Sequence, residues 1–378
     1  MRVALVTNIL TPYRVPVFRA LADTPGWQLR IMVSADSEFD RSWQVDAGGL
    51  DVERVLGISW VRRGATRHVP LGLLAALRRF APDVVVSGEL GARTLLTWLY
   101  CALRGVRLVV WSYPTRFGEP RPGGLRGALA RFLLKRARCV IGMGQEARQA
   151  LGERGVAAER IFDAPNACNH EDCLKALAAL DRETTDRALR AGLGCRARVA
   201  LFVGRLIPSK GLDRLIDAWD RVPSQLRDDW TLLFVGSGPV EPELYRAQGV
   251  HRPGEIVHVP ALQSREVIEL YAAADFVVLP SLEEPWGLVV NEAFVCGVPV
   301  LCSSRAGCAA DMLRPGENGW VFDPADLDDF ANTLQEALTC GRREQLGAEA
   351  RRTAERFRPE VMAEGIRRAI RCANAPQR

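Results

Sequence analysis

Histidine is scarce in this sequence, with 4 in 378 residues. His68, His170, His251 and His258 each read more naturally as structural or solvated side chains than as catalytic ones. No apolar run reaches the roughly 18 residues that a membrane-spanning helix needs. The longest candidate, Leu95 to Val110, is broken by Arg104 and Arg107. The segment Met1-Arg2-Val3-Ala4-Leu5-Val6-Thr7 enters a strand directly, without the charged, apolar and small-residue zones of a secretory leader, so a cytoplasmic protein is expected. Zinc-knuckle spacing is also missing: among 10 cysteines, Cys168 and Cys173, like Cys302 and Cys308, stand at the wrong separations. Most cysteines are expected to be small core residues. A net charge of +5 is too mild to point to a nucleic-acid partner.

What is present is an ordinary globular balance, 48% hydrophobic and 25% charged, in a chain long enough for two domains. Short β-rich apolar runs alternate with helix-period segments throughout, the pattern of parallel sheets covered by helices. Strands are predicted at Val3–Thr7, Leu29–Val33, Asp83–Val86, Leu108–Trp111 and Cys139–Met143, with helices at Val15–Ala22, Leu71–Phe80 and Leu125–Ala137. The alternation lapses in a polar stretch from Asn166 to Arg198, read as the interdomain connection. It resumes with strands at Val199–Val203, Leu232–Val235, Ile256–Val259, Phe276–Leu279, Val298–Cys302 and Trp320–Phe322. The expected fold class is therefore α/β, two Rossmann-like doubly wound domains over 1–180 and 181–355. A last helix, 356–378, has no strand after it and is expected on a domain surface, crossing back to the N-terminal half in one arrangement.

The most informative stretch runs from Leu279 through Glu284-Pro285-Trp286-Gly287-Leu288-Val289 to Glu292. It follows a buried strand and leads into a helix, the place where open α/β sheets bind ligands. Pro285 disfavours helix at Glu284 and suits a first turn, so the helix should start near Pro285 to Gly287. The amides of Gly287, Leu288 and Val289 then form an anion site at the positive end of the helix, with a carboxylate on either side. Two glutamates flanking a helix start are by themselves commonplace.

Cations come from Val203-Gly204-Arg205-Leu206-Ile207-Pro208-Ser209-Lys210-Gly211, just beyond the first strand of the second half. Arg205 and Lys210, ordinary loop residues in isolation, can stabilise a departing diphosphate if they share the glutamates' crevice. Gly236-Ser237-Gly238 after the next strand lacks the full Gly-x-Gly-x-x-Gly pattern, which counts against a dinucleotide-binding dehydrogenase.

Together these segments resemble the retaining glycosyltransferases of family 4. The resemblance covers Ala200 to Pro324 and rests on Gly204-Arg205, Lys210-Gly211, Gly236-Ser237-Gly238-Pro239, Leu279-Pro280-Ser281, the Glu284-x7-Glu292 motif and Gly316-Glu317-Asn318-Gly319. It implies the GT-B architecture, two Rossmann-like domains facing across a cleft, and a nucleotide-sugar donor. It implies Arg205 and Lys210 as diphosphate ligands, with Gly204 beside them, Glu284 at the donor sugar and Glu292 at the ribose. Retained anomeric configuration and no metal or other cofactor are also implied; Asp326-Leu327-Asp328, the one Asp-x-Asp candidate weighed, reads as a helix N-terminus.

The first half matches more loosely. Thr7-Asn8-Ile9-Leu10-Thr11-Pro12-Tyr13-Arg14 stands where many relatives have a glycine-rich loop, making Thr11 and Arg14 candidate phosphate or acceptor contacts, with Pro12 as a helix start the plainer reading. The histidine that many relatives carry near the reacting sugar is missing from Val110-Trp111-Ser112-Tyr113-Pro114.

The expected activity is transfer of a hexose to an acceptor hydroxyl of a glycan, lipid-linked sugar or small molecule, in polysaccharide, glycolipid or glycoconjugate synthesis. A nucleotide-sugar epimerase of the same fold and a non-catalytic sugar-nucleotide-binding module are the alternatives. Acceptor contacts are expected from loops such as Ser37–Trp43 and Tyr113–Arg126. The segment 124–138, rich in cations and without an acid, reads either as a surface helix packed by its Leu and Phe residues or as a peripheral contact with the inner face of an anionic membrane.

Overall fold

A computed structural model describes residues 1–376 apart from 37–44, 63–64, 118–122, 182, 184–186, 188–191 and 253–254. The acceptor loop expected at 37–43 thus lies outside the described residues, as do 118–122 of the second.

Fifteen strands form in the described residues: β1 Arg2–Thr7, β2 Gln28–Val33, β3 Val52–Arg54, β4 Ile58–Arg62, β5 Ala65–Val69, β6 Val84–Gly88, β7 Arg107–Trp111, β8 Cys139–Gly142, β9 Ile161–Asp163, β10 Arg198–Val203, β11 Trp230–Val235, β12 Ile256–Val259, β13 Phe276–Leu279, β14 Val300–Ser303 and β15 Gly319–Phe322. They make two wholly parallel sheets, ordered β3-β2-β1-β6-β7-β8-β9 and β12-β11-β10-β13-β14-β15, and one antiparallel hairpin, β4-β5. Helices cover both faces of parallel sheets, so their strands read as continuous apolar runs; all six residues of β11, Trp-Thr-Leu-Leu-Phe-Val, are buried.

Two compact units result, Met1–Asn169 with Pro359–Arg378, and His170–Arg358. The helix Pro359–Asn374 packs on β8, β9 and the helix Val15–Ala22. Arg367 fastens it by donating to Thr24 Oγ1 at 3.0 Å and to the Ala20 carbonyl at 2.9 Å. Gly365 is required there, because a Cβ would lie 2.1 Å from the Asp163 carbonyl oxygen.

The polar stretch read as a connection contains a helix, His170–Ala178, belonging to the second unit. It packs against helices Ser264–Ala273 and Leu288–Cys296 and turns His170 and Cys173 inward. His170 Nε2 lies 3.1 Å from Glu355 Oε1, which fixes the helix's first residue. In the core of the second unit, Phe322 stacks on Phe330 with centroids 3.8 Å apart, and Trp230 and Trp320 flank Phe276. Burying each such ring is worth about 1.5–3 kcal/mol.

Candidate active site

In each sheet the strand order reverses beside the first strand of its unit, between β1 and β6 and between β10 and β13. Crevices at the carboxyl ends of strands at such switch points are where open α/β sheets take ligands.

At the second of these points the two loops named by the sequence meet. After β10 the chain makes a short turn, Pro208–Lys210, and Gly211 takes φ +64 to start helix Leu212–Arg221. A Cβ on Gly211 would sit 2.4 Å from the Pro280 carbonyl oxygen, so glycine lets the loop after β10 lie directly on the loop after β13. The Ser209 carbonyl accepts from the amides of Leu282 at 2.9 Å and Glu283 at 3.4 Å. Lys210 Nζ donates to Glu284 Oε2, and both side chains are largely buried. Arg205 is exposed on the same loop. Gly204 donates its amide to Val235, and its carbonyl lies under Gly236, where a Cβ would come within 1.8 Å. The Gly236-Ser237-Gly238 turn is thus a close backbone crossing over the Arg205 loop.

Glu284 is held from its other side as well. Its carbonyl accepts from Gly307 at 2.8 Å, and the Trp286 carbonyl accepts from Cys308 at 3.0 Å. A Cβ on Gly307 would meet the Pro285 carbonyl oxygen at 2.1 Å. Trp286 is buried and donates its Nε1 hydrogen to Asn291 Oδ1 at 2.8 Å, locking the loop to the helix that follows. Burial pushes the Cys308 thiol well up, so it stands behind Gly287 and Glu284 as a neutral group.

The helix begins one residue past the predicted start. Gly287 takes φ +102 as its cap, and Leu288–Cys296 are helical, because the left-handed turn after Trp286 delays the first helical residue. The amides of Leu288 and Val289 lie ahead of the helix's own hydrogen-bond ladder, whereas Val290 donates to the Gly287 carbonyl. At the other end Arg351 donates to the Cys296 carbonyl at 3.0 Å, placing a cation on the negative pole. Most side chains of this helix are apolar and Val290, Asn291 and Ala293 to Cys296 are buried, with Glu292 half-buried among them. Tyr271 Oη donates to Glu292 Oε2 at 3.0 Å, but burial dominates and pushes the carboxyl up to about 7.

Asp326 is the cap of helix Leu327–Thr339, accepting from the amides of Asp328 at 3.0 Å and Asp329 at 3.1 Å, which occupies its carboxylate as a helix start. Asn318 of the Gly316–Gly319 turn is buried and donates to the Met312 carbonyl at 2.9 Å, a structural role.

At the switch point of the first unit, Pro12–Arg14 form a short helical turn ahead of helix Val15–Ala22, so Pro12 does start a helix. Thr11 and Arg14 are both buried. The Arg14 guanidinium lies 4.6 Å from the Trp111 ring centroid and is close enough to the Tyr113 phenol to interact with it electrostatically. Thr11 Oγ1, Arg14 Nε and Trp111 Nε1 are buried without a hydrogen-bond partner among the described residues. Beside them Glu89, at φ +66, is gripped by Asn8 Nδ2 at 2.9 Å and Arg93 at 3.1 Å, and its amide donates to the Trp111 carbonyl. Sequence reasoning missed Glu89 and Trp111 and had Tyr113 only as the first residue of an expected acceptor loop; the Gly88-Glu89-Leu90-Gly91 turn just after a strand was the available signal. The four histidines are engaged elsewhere, His258 with the Gly236 carbonyl at 2.9 Å and His68 with Ser59 Oγ at 2.7 Å.

Two Rossmann-like halves, with a cation–carboxylate pair beside a helix start at the second switch point, define a two-unit doubly wound α/β protein. Comparison with known proteins narrows this. Residues 191–353 match the family model "Glycosyl transferases group 1", and residues 11–167 match "Glycosyl transferase 4-like domain". Each half thus matches a glycosyltransferase domain model, and the fold is GT-B. The chain is 31% identical over 268 residues to the D-inositol 3-phosphate glycosyltransferase of Acidothermus cellulolyticus, covering 68% of this chain and 58% of that protein. To the corresponding protein of Rhodococcus jostii it is 32% identical over 192 residues, 49% of this chain and 42% of that one. The chain spans about half the length of these curated relatives. Among solved structures, Anabaena Alr3699/HepE in complex with UDP-glucose superposes with a TM-score of 0.74 at 20% identity, over 97% of this chain and 98% of that one. Sucrose-phosphate synthase from Thermosynechococcus elongatus gives 0.73 at 20% identity, over 98% of both chains. These structures share the fold.

Proposed function

We propose that this chain transfers a hexose from a nucleoside diphosphate sugar to an acceptor hydroxyl with retention of anomeric configuration. The observation that carries the reading is the Lys210–Glu284 ion pair, which joins the loops after β10 and β13 a few residues ahead of the amides of Leu288 and Val289. A cation, a carboxylate and a helix's positive pole together suit a diphosphate bearing a neutral sugar. In this reading the diphosphate draws on Lys210, Arg205 and the helix start, Glu284 orients the sugar hydroxyls, and Glu292 receives the ribose.

As the bond from the anomeric carbon to the diphosphate oxygen breaks, negative charge builds on that oxygen, where the cations and amides stabilise it. The acceptor oxygen bonds to the same face of the carbon, and its proton passes to the departing phosphate. No protein base is then required, in keeping with a site built from cations and amides. The Alr3699/HepE complexes with UDP and with UDP-glucose make uridine donors the first to try; the acceptor is a glycan, a lipid-linked sugar or a small molecule.

The test is donor-dependent transfer by Arg205→Ala, Lys210→Ala and Glu284→Ala. Losses of about a hundredfold each are expected. Rates near that of the unaltered chain in all three would remove the assignment.

A further inference from the structure

One helix of the first unit turns an apolar face outward. Helix Ala92–Arg104 buries Arg93, Thr94, Thr97, Tyr100 and Cys101. Its opposite face, Ala92, Leu95, Leu99, Ala102 and Leu103, is exposed and carries no polar side chain. Leu103 is 75% exposed. Water-facing helices normally show the reverse pattern, and a contiguous apolar face on a surface marks an interaction site.

The neighbouring helix, Gly124–Arg136, packs alongside through Trp98 and Phe132, whose ring centroids are 4.7 Å apart. A groove of about 520 Å³ adjoins both helices and the starts of β7 and β8. Arg107, Lys135, Arg136 and Arg138 line it and form no ion pair with a described residue; Glu159 is the one acid among its lining residues. Apolar face and cationic groove share the helix Ala92–Arg104, since Trp98 and Ala102 line the groove one helical step from Leu99 and Leu103.

We propose that this surface docks on an anionic lipid bilayer, with Leu95, Leu99 and Leu103 entering the acyl boundary and the groove cations meeting headgroup phosphates. Charge decides the occupant. A second copy of the chain, joined about a two-fold axis, would bring the same unpaired cations towards one another. An anionic membrane supplies both the apolar phase and the counter-charge. The 124–138 segment contributes cations here, and the apolar element is the helix before it. The inference stands apart from the glycosyl-transfer reading, since its readout needs no donor.

Sedimentation of the full chain with phosphatidylcholine vesicles, with and without phosphatidylglycerol, tests it. Binding is expected to the anionic vesicles and to fall with added salt. It should weaken at least about tenfold in Leu99→Gln/Leu103→Gln and in Arg136→Glu/Arg138→Glu. These are surface changes, so thermal midpoints should be unchanged; Arg107→Glu/Lys135→Glu replaces either pair that fails to fold. Failure of the unaltered chain to bind anionic vesicles, or equal binding by the altered chains, would overturn the proposal. So would a dimer in solution that Leu99→Gln/Leu103→Gln dissociates.

Discussion

Tyr271 and Glu292 meet at 3.0 Å between two packed helices, the phenol donating to a carboxyl that burial holds at about 7. Between about 4.5 and 7 the folded chain keeps this proton while the unfolded chain has lost it. Glu292's contribution to stability is therefore full below pH 4.5 and lost by about pH 7. At 1.36 kcal/mol per unit the loss is about 3 kcal/mol. Glu292→Gln keeps the shape without the charge, so its urea midpoint should exceed that of the unaltered chain near pH 8 and match it near pH 5. The same difference at both pH values would show that the carboxyl does not titrate there. Tyr271→Phe removes the donor that favours the ionised form, and should move the transition to higher pH.

The Lys210–Glu284 pair spans two loops, so each partner's loss should be felt by the other. Lys210→Met leaves a largely buried carboxylate unpaired, at a cost of about 1.5–3 kcal/mol. Lys210→Met/Glu284→Gln should recover most of that stability without restoring transfer. A thermal-denaturation and activity cycle over the four proteins checks this. Additive stability losses would mean that the pair does not interact.

Glycine supports the site where backbones cross. Gly236→Ala and Gly307→Ala would drive a Cβ into the Gly204 and Pro285 carbonyls at 1.8 and 2.1 Å. Each should destabilise by more than about 2 kcal/mol, or displace its loop and weaken nucleotide binding. Gly341→Ala, with nothing within 4 Å of the added carbon, is the matched control and should stay within about 0.5 kcal/mol. Calorimetric titration with a nucleoside diphosphate, beside thermal midpoints, separates the two effects. Unchanged midpoints and affinity in the first two would contradict the close crossings.

Both sheets were legible because parallel strands covered on two faces must be apolar along their length, as in Val199–Val203 and Leu232–Val235. The loops of the second unit were legible through the combination of their motifs, since Arg205, Lys210 and Glu284 are each ordinary loop residues and only together resemble a known pattern. Glu89 and Trp111 were invisible because their meeting depends on β6 lying between β1 and β7, and strand order is not written in either segment. The helix His170–Ala178 was hidden by its polar residues, since it buries one side through little more than His170 and Cys173. The helix Ala92–Arg104 illustrates a further limit. Periodicity shows which residues share a face, but only the packed structure shows that the leucines are outside.

Thr11 offers a test of the first unit's switch point. Its hydroxyl is buried without a hydrogen-bond partner among the described residues, as are Arg14 Nε and Trp111 Nε1. A buried hydroxyl with no partner costs about 1–3 kcal/mol, so a chain shaped by stability alone would place a methyl group there. Thr11→Val supplies that methyl with the same branching. It should raise the stability of the ligand-free protein by about 1 kcal/mol, seen as a higher thermal midpoint. If the hydroxyl serves the acceptor, the same change should lower transfer while leaving hydrolysis of the nucleotide sugar intact; if it serves a donor phosphate, both should fall. The combination of gain and loss is the signature of a polar group kept for a substrate. A more stable variant with undiminished transfer would exclude Thr11 from the site, and a less stable one would show that its hydroxyl is satisfied in the folded chain.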